Sequence, residues 1–378
     1  MKIALVTNNY RPYAGGVVSS IDTLAGQLVK LGHQVYIVTL DFEGLGNSYD
    51  GQIAIIRVFC PLRFVYKTNH IAIPWFPNQA IRRILAGIRP DIIHSHHPFL
   101  LGVSALKAGE KLGIPVVFTY HSQYEKFAYH VPMPQDICMS LIRKKTLAYC
   151  NRVQGIIAPS AFIVQDLVQN GCQVITKVLP SGVLPIYFES KIAIKPVKDC
   201  FELLTVSRFA KEKTITFLLE MFAKLAQNHK NFKFTLVGYG PEKSYLLNYA
   251  YFRLNLLPEQ VKFIDKPDTK EQLKQYYQQA DLFVFASQAE TQGLVLAEAM
   301  ACGTPVVARY GPGQNDLVVN GQNGYLVHDL NEMVNVVSLI AKNRALHDSL
   351  QQGAWLAGKA YDPLFLAQKI VDFYQIFL

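Results

Sequence analysis

Short apolar runs alternate with longer stretches in which apolar residues recur at helical spacing, and this alternation repeats along the 378 residues. The runs KIALVT, QVYIVTL, IAIIRV, DIIHSH, PVVFTY, GIIAPS and VITKVLP are mostly β-branched and apolar on both faces. Strands of that kind sit inside a parallel sheet covered by helices. Between them, VSSIDTLAGQLVKLG, NQAIRRILAGI and LLGVSALKAGEKLG predict helices, with Gly32 and Gly113 as terminators of the first and third. The pattern lapses at PIYFESKIAIKPVK and then resumes. FELLTVSR, FKFTLVGYG, VKFID, DLFVFAS, TPVVAR and NGYLV read as strands, and TITFLLEMFAKLAQN, TKEQLKQYYQQA and TQGLVLAEAMACG as helices. The prediction is two doubly wound α/β domains, residues 1–185 and 201–355, joined by a linker over 186–200. The closing segment, 356–378, contains the amphipathic PLFLAQKIVDFYQIFL and is expected to pack back across the junction.

Composition supports two cores in a chain that is half hydrophobic. No apolar run reaches the about 18 uncharged residues of a membrane-spanning helix. The start, MKIALVTNNYRP, reads as a first strand, not a secretory signal. Cys60, Cys138, Cys150, Cys172, Cys200 and Cys302 lie far apart without metal-ligand spacing. They suit a reducing cytoplasm, as small core residues.

The net charge of +9 is uneven: residues 1–190 carry 17 Lys and Arg against 10 Asp and Glu. Between Gly51 and Pro90 there is no acidic residue, but there are Arg57, Arg63, Lys67, Arg82, Arg83 and Arg89, interleaved with Phe59, Phe64, Tyr66, Trp75 and Phe76. A basic surface with aromatics attracts polyanions such as an anionic bilayer, nucleic acid or a phosphorylated substrate; solvated surface charge is the plainer alternative.

Candidate chemistry follows the strands, where doubly wound sheets bind ligands. Gly15 and Gly16 precede the first helix, and glycines there let a backbone approach an anion closely. The G-x-G-x-x-G fingerprint and the P-loop are both absent. His121, beside Ser122 and Tyr124, suits contact with a hydroxylated ligand, or equally a hydrogen-bonded residue at a domain rim. The cluster His94, His96 and His97 suggests a metal, but His94 and His96 share one strand face and His97 does not, and no Cys or carboxylate is near in sequence. A cleft wall is the expectation there, with no metal. Arg208 and Lys213 follow a strand and could grip two phosphates, a fork and a point charge. Gly238 and Gly240 form another close-approach turn.

The stretch ASQAETQGLVLAEAMACGTPVVA carries two carboxylates, Glu290 and Glu298. A helix beginning near Gln292 or Gly293 leaves Glu290 in the loop and puts Glu298 about 9 Å along the axis. The helix start lies between them. This spacing fits one extended ligand: a hydroxylated ring at Glu290, a diphosphate on the helix N–H groups, and a ribose diol at Glu298. Glu298 stands among small apolar neighbours, where an unpaired carboxylate is costly. The ligand implied is a nucleotide-sugar.

E-x7-E followed by AMACGTPVVA, together with SRFAKEK, VGYGP and the glycine pair after the first strand, resembles the retaining glycosyltransferases of family 4 over nearly the whole chain. The resemblance implies the GT-B fold, two Rossmann-like domains with the donor held mainly by the C-terminal one, and no metal or other cofactor. It implies Arg208 and Lys213 on the donor diphosphate, Glu290 on the transferred sugar, and Glu298 on the ribose. Backbone near Gly293, Leu294 and Val295 would meet sugar and phosphate, Gly16 the phosphate, and His121 the sugar near its 6-hydroxyl. Retention then proceeds on one face, the leaving phosphate taking the acceptor's proton. Three departures from the family's pattern fall at Pro180-Ser181-Gly182-Val183-Leu184, at Ile264-Asp265-Lys266, and in YGPGQNDLV, where Asp316 replaces a glutamate.

TYHSQYEKFAYHVP is similar to the corresponding segment of diacylglycerol glucosyltransferases. That likeness implies UDP-glucose as donor and a lipid acceptor such as 1,2-diacylglycerol, with Gly15 and Tyr124 on the acceptor side. The basic N-terminal domain agrees with an enzyme held peripherally at the inner face of a membrane. Competing readings are a mannosyl- or other hexosyltransferase acting on phosphatidylinositol, lipopolysaccharide or a soluble sugar; a sugar-nucleotide 2-epimerase; and a non-catalytic nucleotide-sugar-binding protein. No recognised motif supports nucleic-acid binding.

Overall fold

The computed structural model describes residues 1–12, 15–66, 69–126, 134–189, 199–228, 231–265 and 267–378. The chain divides into two compact units, one of Met1–Gly182 with Pro363–Leu378 and one of Val183–Asp362.

In the first unit the elements run β1 (Lys2–Val6), α1 (Gly16–Lys30), β2 (Gln34–Leu40), β3 (Ser48–Asp50), β4 (Ile53–Val58), β5 (Leu62–Tyr66), β6 (Asn69–Ile73), α2 (Pro77–Ile88), β7 (Ile92–Ser95), α3 (Leu101–Leu112), β8 (Val116–Thr119), α4 (Gln135–Cys150), β9 (Gly155–Ala158), α5 (Ala161–Gln169) and β10 (Thr176–Val178). The main sheet has the order β10-β9-β8-β7-β1-β2-β4-β3. It is parallel except at β3, which pairs antiparallel with β4. Strand alternation sorts the core into two layers. Ala4 and Val6 pack with α2 and α3 through Ile81, Leu85, Leu101 and Ala105. Ile3 and Leu5 pack on the opposite face with Ile21, Leu24 and Leu28 of α1. Arg63 and its aromatic neighbours lie on a separate antiparallel hairpin of β5 and β6, which the periodicity did not predict.

The second unit runs β11 (Phe201–Val206), α6 (Ile215–Asn228), β12 (Phe232–Val237), α7 (Lys243–Asn248), β13 (Val261–Ile264), α8 (Lys270–Gln279), β14 (Leu282–Phe285), α9 (Leu294–Ala301), β15 (Val306–Arg309), β16 (Gly324–Val327), α10 (Leu330–Lys342) and α11 (Arg344–Gly358). Its sheet has the order β13-β12-β11-β14-β15-β16 and is parallel in every pair. Leu203, Leu282 and Val284 face α6 and α10, whereas Leu204, Phe283 and Phe285 face α9. The small residues of AMACG have a packing reason: a Cβ on Gly358 of α11 would lie 2.7 Å from the Ala301 Cα of α9.

Two expected boundaries move. Residues 183–188 belong to the second unit and not to the first domain or the linker. Val183 N–H donates to the Tyr361 carbonyl at 3.0 Å, and Tyr187 is fully buried, edge-on to Tyr277. The part of the linker at 190–198 lies outside the described residues. At the other end, residues 356–362 finish α11 and a short turn in the second unit, and only α12 (Pro363–Tyr374) returns to the first. There Ala367, Ile370, Phe373 and Tyr374 join the core layer under α1.

Candidate functional site

Sheet order decides which loops meet. In the second unit the strand order reverses between β11 and β14, the switch point beyond whose carboxyl ends such sheets hold ligands. The loop after β11 carries Arg208 and the turn Lys211–Lys213, and the loop after β14 carries Glu290. The two loops are tied together. Thr214, at φ 46°, donates its hydroxyl to the Ala286 carbonyl at 2.5 Å, and Ser287 donates to the Glu212 carbonyl at 3.3 Å.

Lys213 and Glu290, expected on different parts of one ligand, are in direct contact through Nζ and Oε1. Arg208 lies 3.5 Å from Glu212. Neither pairing was visible in the sequence spacing, and Glu212 was not among the predicted residues. The pairs do not exhaust the cations, because a guanidinium offers five N–H donors and an ammonium three. A diphosphate can therefore be held while the carboxylates stay in place.

Helix α9 starts at Leu294, after Gly293 at φ 81°, and no side chain caps it. The first-turn N–H groups at Leu294 and Val295 lie beside the Glu290 loop, on residues that keep partial exposure. Glu298 is the fifth helical residue and is buried. Tyr277 of α8 donates its hydroxyl to Glu298 Oε2 at 2.8 Å. Burial pushes the Glu298 carboxyl up from its ordinary value, and Lys270 and the Tyr277 hydrogen bond oppose that rise. Tyr277 is a site residue that sequence reasoning missed, since nothing local to α8 marks it.

Gly238 and Gly240 have a reason internal to the chain. A Cβ on Gly238 would sit 1.8 Å from the Ser207 carbonyl oxygen, and one on Gly240 (φ 153°) 2.3 Å from that of Phe209. The two loops are also laced by Phe209 N–H to the Tyr239 carbonyl at 2.7 Å. These glycines thus shape the loop that carries Arg208. Asp316, the expected substitute for a glutamate, is exposed. The fully buried Gln314 instead donates its amide to the Ser287 carbonyl and holds the β14 loop.

In the first unit the order reverses between β7 and β1. Asn8 N–H donates to His97 Nδ1 at 3.2 Å, joining the two loops that follow these strands. No described residue comes within 4 Å of a Cβ built on Gly15 or Gly16, so the chain itself gives no steric reason for glycine there. His94 bridges Thr119 Oγ1 and the Tyr374 hydroxyl, both at 2.6 Å. His96 Nδ1 lies 2.8 Å from His121 Nε2. Burial holds all four imidazoles below the ordinary range, His94 at about 3 and His97 at about 4, with His96 and His121 well below it. They are neutral rings at pH 7, which hydrogen-bond rather than carry charge. Among the described residues no group of His, Cys, Asp and Glu is arranged to hold a metal ion.

Tyr124 packs edge-on between Phe99 and Tyr120, at 5.5 and 5.6 Å, with its hydroxyl buried and unpartnered among the described residues. The remainder of its motif, 127–133, lies outside the described residues, as does Lys67. The basic region divides by environment. Arg57 is committed to the Gly46 carbonyl at 2.8 Å and the Ser48 hydroxyl at 2.7 Å, and Arg63 lies 3.8 Å from Asp41. These contacts hold the two side chains against the fold; the Arg57 partners are neutral and leave its charge in place, and Arg63 is exposed. Arg82, Arg83 and Arg89 are exposed, as are Trp75 and Phe76. No helix among the described residues is long and apolar enough to cross a membrane.

Comparison with known proteins matches residues 14–184 to the family model "Glycosyltransferase Family 4" and residues 188–354 to "Glycosyl transferases group 1". The chain is 32% identical to an alpha-monoglucosyldiacylglycerol synthase of Streptococcus pneumoniae, over 87% of this chain and 76% of that protein. It is 26% identical to the protein of the same name from Acholeplasma laidlawii, over 96% and 93%. Among solved structures, sucrose-phosphate synthase from Thermosynechococcus elongatus superposes with a TM-score of 0.81 at 21% identity, covering 99% of this chain and 98% of that one. The architecture is therefore GT-B. With both halves matched in order and a relative at 32% identity over most of its length, this chain belongs to glycosyltransferase family 4 and is a hexosyltransferase.

Proposed function

We propose that this enzyme transfers glucose from UDP-glucose to the free hydroxyl of 1,2-diacylglycerol, with retention of configuration, at an anionic membrane surface on the cytoplasmic side. The observation that carries the reading is the similarity, over 87% and 96% of this chain, to two relatives named for making alpha-monoglucosyldiacylglycerol. The site supports it. Arg208, Lys213 and the uncapped start of α9 offer the cations and free N–H groups that suit a diphosphate. Glu298 accepts the ribose hydroxyls, and Glu290 the hydroxyls of the transferred sugar.

In the proposed reaction the bond from the sugar's C1 to the β-phosphate oxygen breaks and a bond from C1 to the acceptor oxygen forms on the same face. The acceptor's proton passes to the departing phosphate. Glu290, held against Lys213, positions the sugar and does not attack it. The two cations and the helix start carry the developing diphosphate charge, so turnover persists in a chelator. Gly15 and Tyr124 serve the acceptor, Gly16 approaches the donor phosphate, and His121 meets the sugar.

The exposed Trp75 and Phe76, with Arg82, Arg83 and Arg89, suit an interface of anionic headgroups. A screen of nucleotide-sugars against acceptors, with and without anionic vesicles and with product mass measured, tests the proposal. Glucosyl-diacylglycerol from UDP-glucose is the expected product; preferred use of GDP-mannose or of a soluble acceptor would overturn it.

A further inference from the structure

His96 is 1% exposed and stands just beyond β7, with two ring nitrogens in different situations. Its Nδ1 lies 2.8 Å from Nε2 of His121, and the two rings stack with centroids 5.1 Å apart. Its Nε2 is buried without a hydrogen-bond partner among the described residues. Only one hydrogen can lie between Nδ1 and Nε2, so the pair has two arrangements. If His121 donated, His96 would carry its own proton on Nε2, a buried donor with no acceptor among the described residues. If His96 donates from Nδ1, its Nε2 is a bare lone pair, and an under-satisfied acceptor is the less costly of the two.

We propose that His96 is a positioning residue that donates from Nδ1 to His121 Nε2 and thereby fixes His121 with its proton on Nδ1. The hydrogen bond made at one ring nitrogen sets which nitrogen carries the proton at the other. Burial keeps both rings neutral, so the arrangement persists through the physiological range. His121 then has a fixed ring plane and its Nδ1 as the donor. The consequence for catalysis rests on the proposed function, in which His121 meets the transferred sugar; the tautomer itself does not.

The test has two arms. In whole protein labelled with 15N-histidine, long-range proton–nitrogen correlations report which nitrogen of His121 is protonated, its signals being assigned by their loss in His121→Asn. The expected result is a protonated Nδ1 and a bare Nε2, and loss of that single state in His96→Phe, which keeps an aromatic ring in place. A proton on Nε2, or an unchanged His121 spectrum in His96→Phe, would overturn the proposal.

In the kinetic arm, His96→Phe lowers kcat roughly tenfold with little change in the donor KM, the loss of one oriented hydrogen bond. His96→Asn, whose amide nitrogen takes the place of Nδ1, restores most of the rate; His96→Gln, whose amide lies one bond further out, does not. Wild-type kcat in His96→Phe would overturn the positioning role. The expected tautomer in a protein with no UDP-glucose-dependent transfer would support the proton assignment and overturn the proposed substrate instead.

Discussion

Tyr277 donates its hydroxyl to Oε2 of Glu298 at 2.8 Å, and both side chains are buried. The carboxylate proposed to hold the donor's ribose is thus aimed by a residue 21 positions earlier in the chain, on another helix. Removing one such hydrogen bond costs about 1 kcal/mol, or roughly fivefold in affinity. Tyr277→Phe is therefore expected to weaken UDP binding by about that factor in calorimetry. Undiminished affinity would reduce Tyr277 to a packing residue.

Lys213 and Glu290 touch, yet their proposed tasks differ, so their substitutions should separate. Lys213→Ala and Arg208→Ala are expected to weaken UDP binding tenfold or more, as the loss of a charge-assisted contact. Glu290→Ala should abolish transfer while UDP still binds. Measuring UDP affinity and turnover on the same preparations decides the matter: normal turnover in Glu290→Ala would remove that residue from the sugar.

The glycines divide into two kinds, and stability measurements should show it. At Gly240, with φ 153°, an added Cβ would lie 2.3 Å from the Phe209 carbonyl oxygen, so Gly240→Ala should destabilise by about 2 kcal/mol or more. At Gly16 the space is open, so Gly16→Ala should unfold like the wild type but turn over more slowly, because the proposed approach of the donor phosphate is blocked. Urea unfolding and initial rates report both effects. Full activity in Gly16→Ala would mean that no ligand comes close there.

Buried neutral histidines make the first unit acid-labile. His94 is held at about 3 and His97 at about 4, against 6.5 in the unfolded chain. Between those values the unfolded chain binds protons that the folded one does not. Stability is therefore full above pH 6.5 and is lost as pH falls below it, by up to about 1.4 kcal/mol per pH unit for each ring. Hydrogen exchange of the β7 and β8 amides, corrected for intrinsic rate, should show protection dropping between pH 7.5 and 5.5. A flat profile would mean that the rings titrate normally in the fold.

For the basic face, Arg82→Glu with Arg83→Glu should weaken sedimentation with anionic vesicles and spare hydrolysis of soluble donor. Added salt should mimic the charge reversal, since exposed charges are screened beyond about 10 Å at 0.1 M. Unchanged vesicle binding would leave these arginines as ordinary surface.

Much of this was legible in the chain. Apolar runs with β-branched residues marked the strands of both sheets, because a strand buried on two faces has no polar face to show. The lapse after Pro185 marked the division to within a few residues. Glu298 stood out because a carboxylate among small apolar residues needs a partner, and Arg208, Lys213 and Glu290 because they follow strands, where such sheets bind ligands. What the sequence could not contain was the strand order. That order sets the loop after β11 beside the loop after β14, and so brings Lys213 against Glu290. It also sets the loop after β1 beside the one after β7, so that Asn8 bonds His97. Tyr277 on Glu298 and His96 on His121 depend on the same long-range packing. Local periodicity reports which face of an element is apolar; which other element covers that face, and which polar groups are then left to pair, is settled only when the sheets close.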